Sequence, residues 1–86
     1  LLWSAVPTVL TIRNIRVAIY ANDHPPPHVP AVRPGGARAK LELNCPSGPV
    51  RLIDQTGFRR VDILEIGAAV AAALETICAE WRRIHG

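Results

Sequence analysis

One spacing pattern constrains this chain more than any other. From about Arg59 to His85, Ile63, Ile66, Val70, Leu74, Ile77, Trp81 and Ile84 follow one another at intervals of 3, 4, 4, 3, 4 and 3. These intervals trace one face of an α-helix, and an apolar face of that length needs a layer to cover it. Ala68, Ala69 and Ala71 to Ala73 widen the face and raise helix propensity. Arg82 and Arg83 suit the negative carboxyl end of a helix, and Gly86 is a natural stop. Gly67 is the weak point, where a bend or a close approach is expected.

The covering layer is expected from the first half. Val9, Leu10 and Ile12 precede Arg13-Asn14, with Asn14 suited to the left-handed conformation of a tight turn, and Ile15, Val17 and Ile19 then alternate with Arg16, Ala18 and Tyr20. This reads as a hairpin. Asn22 to His28 reads as a stiff, proline-rich connection. Val29 to Arg33 suggests a short strand that Pro30 demotes to an edge or a bulge. Pro34-Gly35-Gly36 turns the chain into the clearest strand, where Ala37, Ala39, Leu41 and Leu43 alternate with Arg38, Lys40 and Glu42. Asn44 to Pro49 is a loop, and Val50 to Ile53 a short element of open type. The expected class is α+β: a small antiparallel sheet of three or four strands packed against one long C-terminal helix bent near Gly67, or two helices if Gly67 breaks it, all in a single domain over 7–86 behind a 1–6 extension.

Composition bounds the function. With 86 residues, 49% apolar and 20% charged, the chain is neither a disordered tail nor a two-domain enzyme. Net charge is +3, and residues 1–53 carry six basic side chains against two acidic ones. A basic half is compatible with nucleic acid or an acidic partner, but ordinary solubility alone is the favoured reading. Cys45 and Cys78 are the only cysteines and lie in no metal-binding spacing. A single bridge between them is one reading; a reduced cytoplasmic protein is the simpler one. The longest uncharged apolar run, Ile66 to Leu74, has nine residues, whereas a membrane span needs about 20. Leu1 to Ala5 is too short for a signal peptide, so no targeting segment and no membrane are expected.

Pro7-Thr8-Val9-Leu10, Tyr20-Ala21-Asn22-Asp23-His24-Pro25-Pro26-Pro27-His28-Val29, Ala39-Lys40-Leu41-Glu42-Leu43, Gly57-Phe58 and Glu80-Trp81-Arg82-Arg83-Ile84-His85-Gly86 together resemble a bacterial family catalogued as domain of unknown function 4160. The resemblance runs from Pro7 to Gly86, and the Asn-Asp-His-Pro-Pro-Pro-His stretch carries most of it. It implies a small product of a two-gene, toxin–antitoxin-like module. Three departures stand out. Val6 occupies the family's usual starting Met, which marks Leu1 to Ala5 as an extension. His28-Val29-Pro30-Ala31 lacks the second His of the family's His-Val-His-Val. Arg59 replaces a capping Ser.

Asp23, His24 and His28 are the candidate catalytic residues, since carboxylate and imidazole together bind metals or move protons. Across a straight polyproline segment the two histidines would stand roughly 12 Å apart, so a structural or recognition loop is the favoured reading and no metal or cofactor is expected. Arg59 and Arg60, at the start of the long helix, form a candidate anion site, with two solvated arginines as the slightly favoured reading. Arg38 and Lys40, joined by Arg16 if the strands pair as expected, share the open sheet face as a candidate nucleic-acid track; Tyr20 is the one plausible stacking residue there, and an ordinary solvated face is the favoured reading. Ala69, Ala72, Ala73 and Trp81 mark a candidate partner interface. These readings favour a non-enzymatic interaction module, forming a homo-oligomer or binding a small partner, over a small nuclease-like toxin acting through the Asp23–His28 loop or a nucleic-acid-binding protein.

Overall fold

The computed structural model describes residues 8–86; the 1–6 extension and Pro7 lie outside the described residues. Five strands, β1 (Thr8–Ile12), β2 (Ile15–Ala18), β3 (His28–Val32), β4 (Arg38–Glu42) and β5 (Arg51–Thr56), precede two helices, α1 (Arg60–Ala72) and α2 (Leu74–His85). The strands form one antiparallel sheet in sequence order. The α+β class is as expected. The sheet gains a fifth strand, and two helices stand where a single long one, or two broken at Gly67, was expected.

The fifth strand was hidden by its surroundings. All six residues of β5 are exposed, because it is an edge strand that the helices leave uncovered, and no apolar alternation marks it. A bulge opposite Lys40 and Leu41 leaves Ile53 without a partner and breaks the period further. That bulge, together with the charges of Arg51 and Asp54, guards an edge carrying half-exposed Leu52 and Ile53.

Pro30 proves compatible with a central strand. The ladder between β2 and β3 contains only Arg16↔Val32 and Val17↔Ala31, so β3 lacks a β2 partner where the proline sits. It pairs with β4 through all five residues, including Pro30↔Lys40. In the first hairpin the left-handed residue is Arg13, with φ 55°, and not Asn14; its side chain is fastened to Glu65 on α1.

The helix break also moves. It falls at Ala73 (φ −105°, ψ 15°), six residues past Gly67. Ala73 N donates to Ala69 O and Ile77 N to Ala73 O, which carries the hydrogen-bond ladder through the junction. The chain therefore bends there without doubling back. One apolar face continues across it: Ile66, Val70, Leu74, Ile77 and Trp81 are buried against Ile15, Val17, Val29 and Leu41 of the sheet. Gly67 is neither a bend nor a close contact, as a Cβ there would meet nothing within 4 Å.

Gly57 is the glycine that matters. Its φ is +86°, and a Cβ would lie 3.1 Å from Ala37 Cα where β5 hands over to α1. Gly57→Ala is expected to cost about 1–3 kcal/mol, whereas Gly67→Ala should gain about 0.5–1 kcal/mol from helix propensity. Urea titration of the two variants measures both; shifts of the same sign would contradict this account.

Cys45, after β4, and Cys78, on α2, form a disulfide with Cα atoms 5.8 Å apart. This corrects the reduced-thiol reading, and the cytoplasmic expectation loses the support it drew from reduced cysteines. The spacing gave no warning because the partners are 33 residues apart and meet only once α2 crosses the end of the sheet. Among the described residues, no helix is long and apolar enough to cross a membrane.

Candidate functional site

Side chains on the open face of the sheet fall into rows set by strand register. Arg16, Val32, Arg38 and Thr56 stand opposite one another across β2 to β5; Pro30, Lys40 and Asp54 form the next row, and His28, Glu42 and Arg51 the third. The alternation that buries Ala39 and Leu41 therefore brings Arg38 and Lys40 outward beside Arg16, as the sequence suggested. A depression of about 380 Å³ lies over the first two rows, bounded at one end by Tyr20, Asp23 and His28.

At that end the proline-rich connection folds on itself instead of extending. Asp23 N donates to Tyr20 O, and Leu43 N donates to Pro27 O, tying the connection to the end of β4. As a result the Asp23 carboxylate meets His28, with Oδ2 3.3 Å from Nε2. His28 Nδ1 donates to Pro26 O at 2.9 Å. Both ring nitrogens thus face protein acceptors, and the carbonyl of the same residue accepts the indole N–H of Trp81 at 3.2 Å. The structure joins Asp23 to His28 and leaves His24 outside, exposed on the loop. Among the described residues, no cluster of three His, Cys, Asp or Glu side chains is placed to hold a metal ion.

Arginine pairing separates structural cations from available ones. Arg51 bonds Glu42, Arg83 bonds Glu80 and Arg13 bonds Glu65. Arg59, one half of the candidate anion site, is engaged at the helix start. Its backbone N–H donates to Asp62 Oδ2 at 3.1 Å and its Nε to the same oxygen at 3.2 Å, so the arginine that replaces a capping Ser still engages the helix's own acidic residue. Arg33 adds a bond to Asp62 Oδ1 at 3.3 Å and lies over the Phe58 ring. Arg13 approaches the same oxygen at 3.7 Å. Asp62 itself is fully buried. Hydrogen bonds from Arg59 and then Arg33 hold its carboxyl far below the usual carboxylate range, against the opposing effect of burial. The sequence noted neither its burial nor this arginine cluster, because the three arginines come from a turn, a strand end and a helix start. Arg16, Arg38, Lys40 and Arg60, by contrast, make no ion pair with a described residue.

Of the expected interface residues, Trp81 is core, 6% exposed, with its ring stacked on His85 at 3.6 Å. His85 in turn has both nitrogens 3.0 Å from carbonyls, those of Trp81 and Tyr20. A second depression of about 610 Å³ lies beside this pair, His24 and the disulfide, and His85 has no spare nitrogen to offer it. Ala69 and Ala73 are half-buried and Ala72 is exposed. The apolar line that does reach solvent is Val61, Leu64, Ala68, Ala71 and Ala72, with Val61 57% and Leu64 62% exposed.

A family model described as a domain of unknown function, DUF4160, matches residues 14–82. No curated protein and no solved structure matches the chain.

Proposed function

The chain belongs to the DUF4160 family, and we propose that it works as a non-enzymatic interaction module that pairs with a second copy of itself through the outer face of α1. The exposure of Val61 and Leu64 on adjacent turns carries this reading. Two large apolar side chains sit there on a line otherwise made of alanines, with no charged residue between Arg60 and Glu75 along it. Small residues at its centre allow two helices to approach closely.

Charge favours a second copy as the occupant. Arg60 and Glu75 flank the line at opposite ends, both exposed and without an ion-pair partner among the described residues. In an antiparallel, two-fold pairing centred near Gly67 and Ala68, Arg60 of each copy meets Glu75 of the other. The ladder continuing through Ala73 keeps Glu75 near the extension of that line. A toxin–antitoxin-like pair, the setting implied by the family resemblance, would give such a module its role. The acid–base alternative draws on the Asp23–His28 contact but has both imidazole nitrogens committed to protein acceptors, so neither points at a substrate.

Light scattering of the purified chain is expected to give twice its 9.3 kDa mass. Leu64→Glu should give a monomer that still unfolds cooperatively. Arg60→Glu should weaken the dimer about tenfold, from two lost surface pairs, and adding Glu75→Arg should restore it. A wild-type monomer at every concentration overturns the reading, as does a double reversal weaker than the single one.

A further inference from the structure

The open sheet face holds the described cations that are both unpaired and clustered. Arg38 and Lys40 alternate on β4, so they stand roughly 6.6–6.8 Å apart along the strand, comparable to neighbouring phosphates on an extended nucleotide chain. Arg16 lies two strands away in the same row as Arg38, about 10 Å across the sheet. Two carboxylates also border the depression. Asp23 is turned to His28, and Asp54 accepts the backbone N–H of Gln55. Three side-chain cations therefore face Asp54 and one imidazole–carboxylate pair, and the face is net basic.

Apolar and stacking groups complete it. Pro30 and Val32 floor the depression between the cationic strands, and Tyr20, 36% exposed, stands at its rim. The backbone beneath Tyr20 is fixed, because its carbonyl accepts both Asp23 N–H and His85 Nε2–H. His28 is held by the contacts already described, so the end of the site is rigid before any ligand arrives. A preformed aromatic rim costs little to order on binding.

We propose that this face binds single-stranded nucleic acid: Arg16, Arg38 and Lys40 track consecutive phosphates, and one base is placed against Tyr20 over Pro30 and Val32. Several features favour a single strand. A depression of about 380 Å³ is of nucleotide size. An accessible aromatic at its edge can stack only on an unpaired base. Gln55 is the side-chain amide among the depression's described lining residues, and its Oε1 already accepts the Phe58 N–H; the two cationic rows themselves hold Arg16, Val32, Arg38, Thr56, Pro30, Lys40 and Asp54, which points to backbone contact over base reading. The proposal stands apart from helix pairing, since α1 lies on the opposite side of the sheet, over the face that contributes Ile15, Val17 and Leu41 to the core.

Fluorescence anisotropy with labelled single-stranded RNA and DNA oligonucleotides tests it. Binding is expected on the order of 10–100 μM near physiological salt, with a log–log salt slope of about −2 for three phosphate contacts on a single strand. Arg38→Ala/Lys40→Ala should weaken binding at least tenfold and reduce the slope to about −0.7. Tyr20→Ala should weaken it about tenfold while leaving the slope unchanged. Arg82→Ala, a cation on α2, should do nothing, and the thermal midpoints of these exposed variants should match the wild type. Any of three results overturns the proposal: no binding at low salt, equal loss from Arg82→Ala and the sheet variants, or a duplex bound as well as its separate strands. Cleavage of the oligonucleotide would also overturn the non-enzymatic reading above, but a monomeric chain that still binds would leave this site standing.

Discussion

Asp62→Asn is expected to lower the thermal midpoint by roughly 15 °C or more, the largest effect of any single polar substitution in this chain. The carboxylate is fully buried and gathers Arg59, Arg33 and, more distantly, Arg13. It also accepts the Arg59 backbone N–H that begins α1. Removing its charge leaves these guanidinium groups directed at a neutral amide that also presents N–H donors to them. Burial makes that mismatch costly, because water cannot re-enter to solvate the site. Asp54→Asn, on the exposed edge strand, is the matched control and should change little.

Acid should reproduce part of that loss. Hydrogen bonds from Arg59 and Arg33 depress Asp62, and the hydrogen bond from Arg13 depresses Glu65. In the unfolded chain both groups titrate at their ordinary values, near 4. The folded state therefore binds fewer protons in that range. The stability these carboxylates contribute is complete above about pH 5 and is lost as pH falls through 4 and below. Urea midpoints measured from pH 6 to pH 3 should fall for the wild type and stay much flatter for Asp62→Asn. An equally acid-sensitive variant would place the acid lability elsewhere.

What the sequence reveals follows from which residues have one neighbour layer and which have two. β4 and the helix face are legible because each has one buried side and one wet side, so Ala39 and Leu41 or Val70 and Leu74 recur at the period of their element. β5 has two wet sides and a bulge, and it carries no period to read. The helix break at Ala73 is equally silent, as alanine is the strongest helix former and gives no local signal for a break. The residues of the cationic face and its rim were readable one by one, while their joining was not: Asp23 reaches His28 through the fold of the proline connection, and Tyr20 is anchored by His85 from the far end of the chain. Of the partners of Asp62, Arg59 is local, three residues away, while Arg33 and Arg13 lie 29 and 49 residues before it, so neither its burial nor the full cluster has a local signal. Pairings across such distances are set by topology, which local spacing does not encode.

Reducing the Cys45–Cys78 bridge should remove about 3–4 kcal/mol of stability, as expected for closing a 33-residue loop. A domain of this size has about 4–13 kcal/mol in all, so the bridge supplies a quarter or more of the total. Its position explains why so small a chain carries one. The loop after β4 has few apolar anchors of its own, and α2 crosses the sheet end with Leu74, Ile77 and Trp81 as its buried contacts. The bridge fastens that loop to the middle of α2. Cys78 is itself 3% exposed, so replacing it would confuse loss of the bridge with loss of packing. The cleaner comparison uses the unaltered protein with and without reductant. The oxidised form should melt roughly 15–25 °C higher, and its intact mass should be lower by two hydrogens. Cys45→Ser should behave like the reduced protein and be indifferent to reductant. Equal melting of the oxidised and reduced forms would mean the bridge adds nothing beyond the packing of Cys78. The predicted gap instead makes the fold's stability depend on the redox poise around it, since a glutathione-reduced setting and an oxidising one select different states of the same two sulfurs.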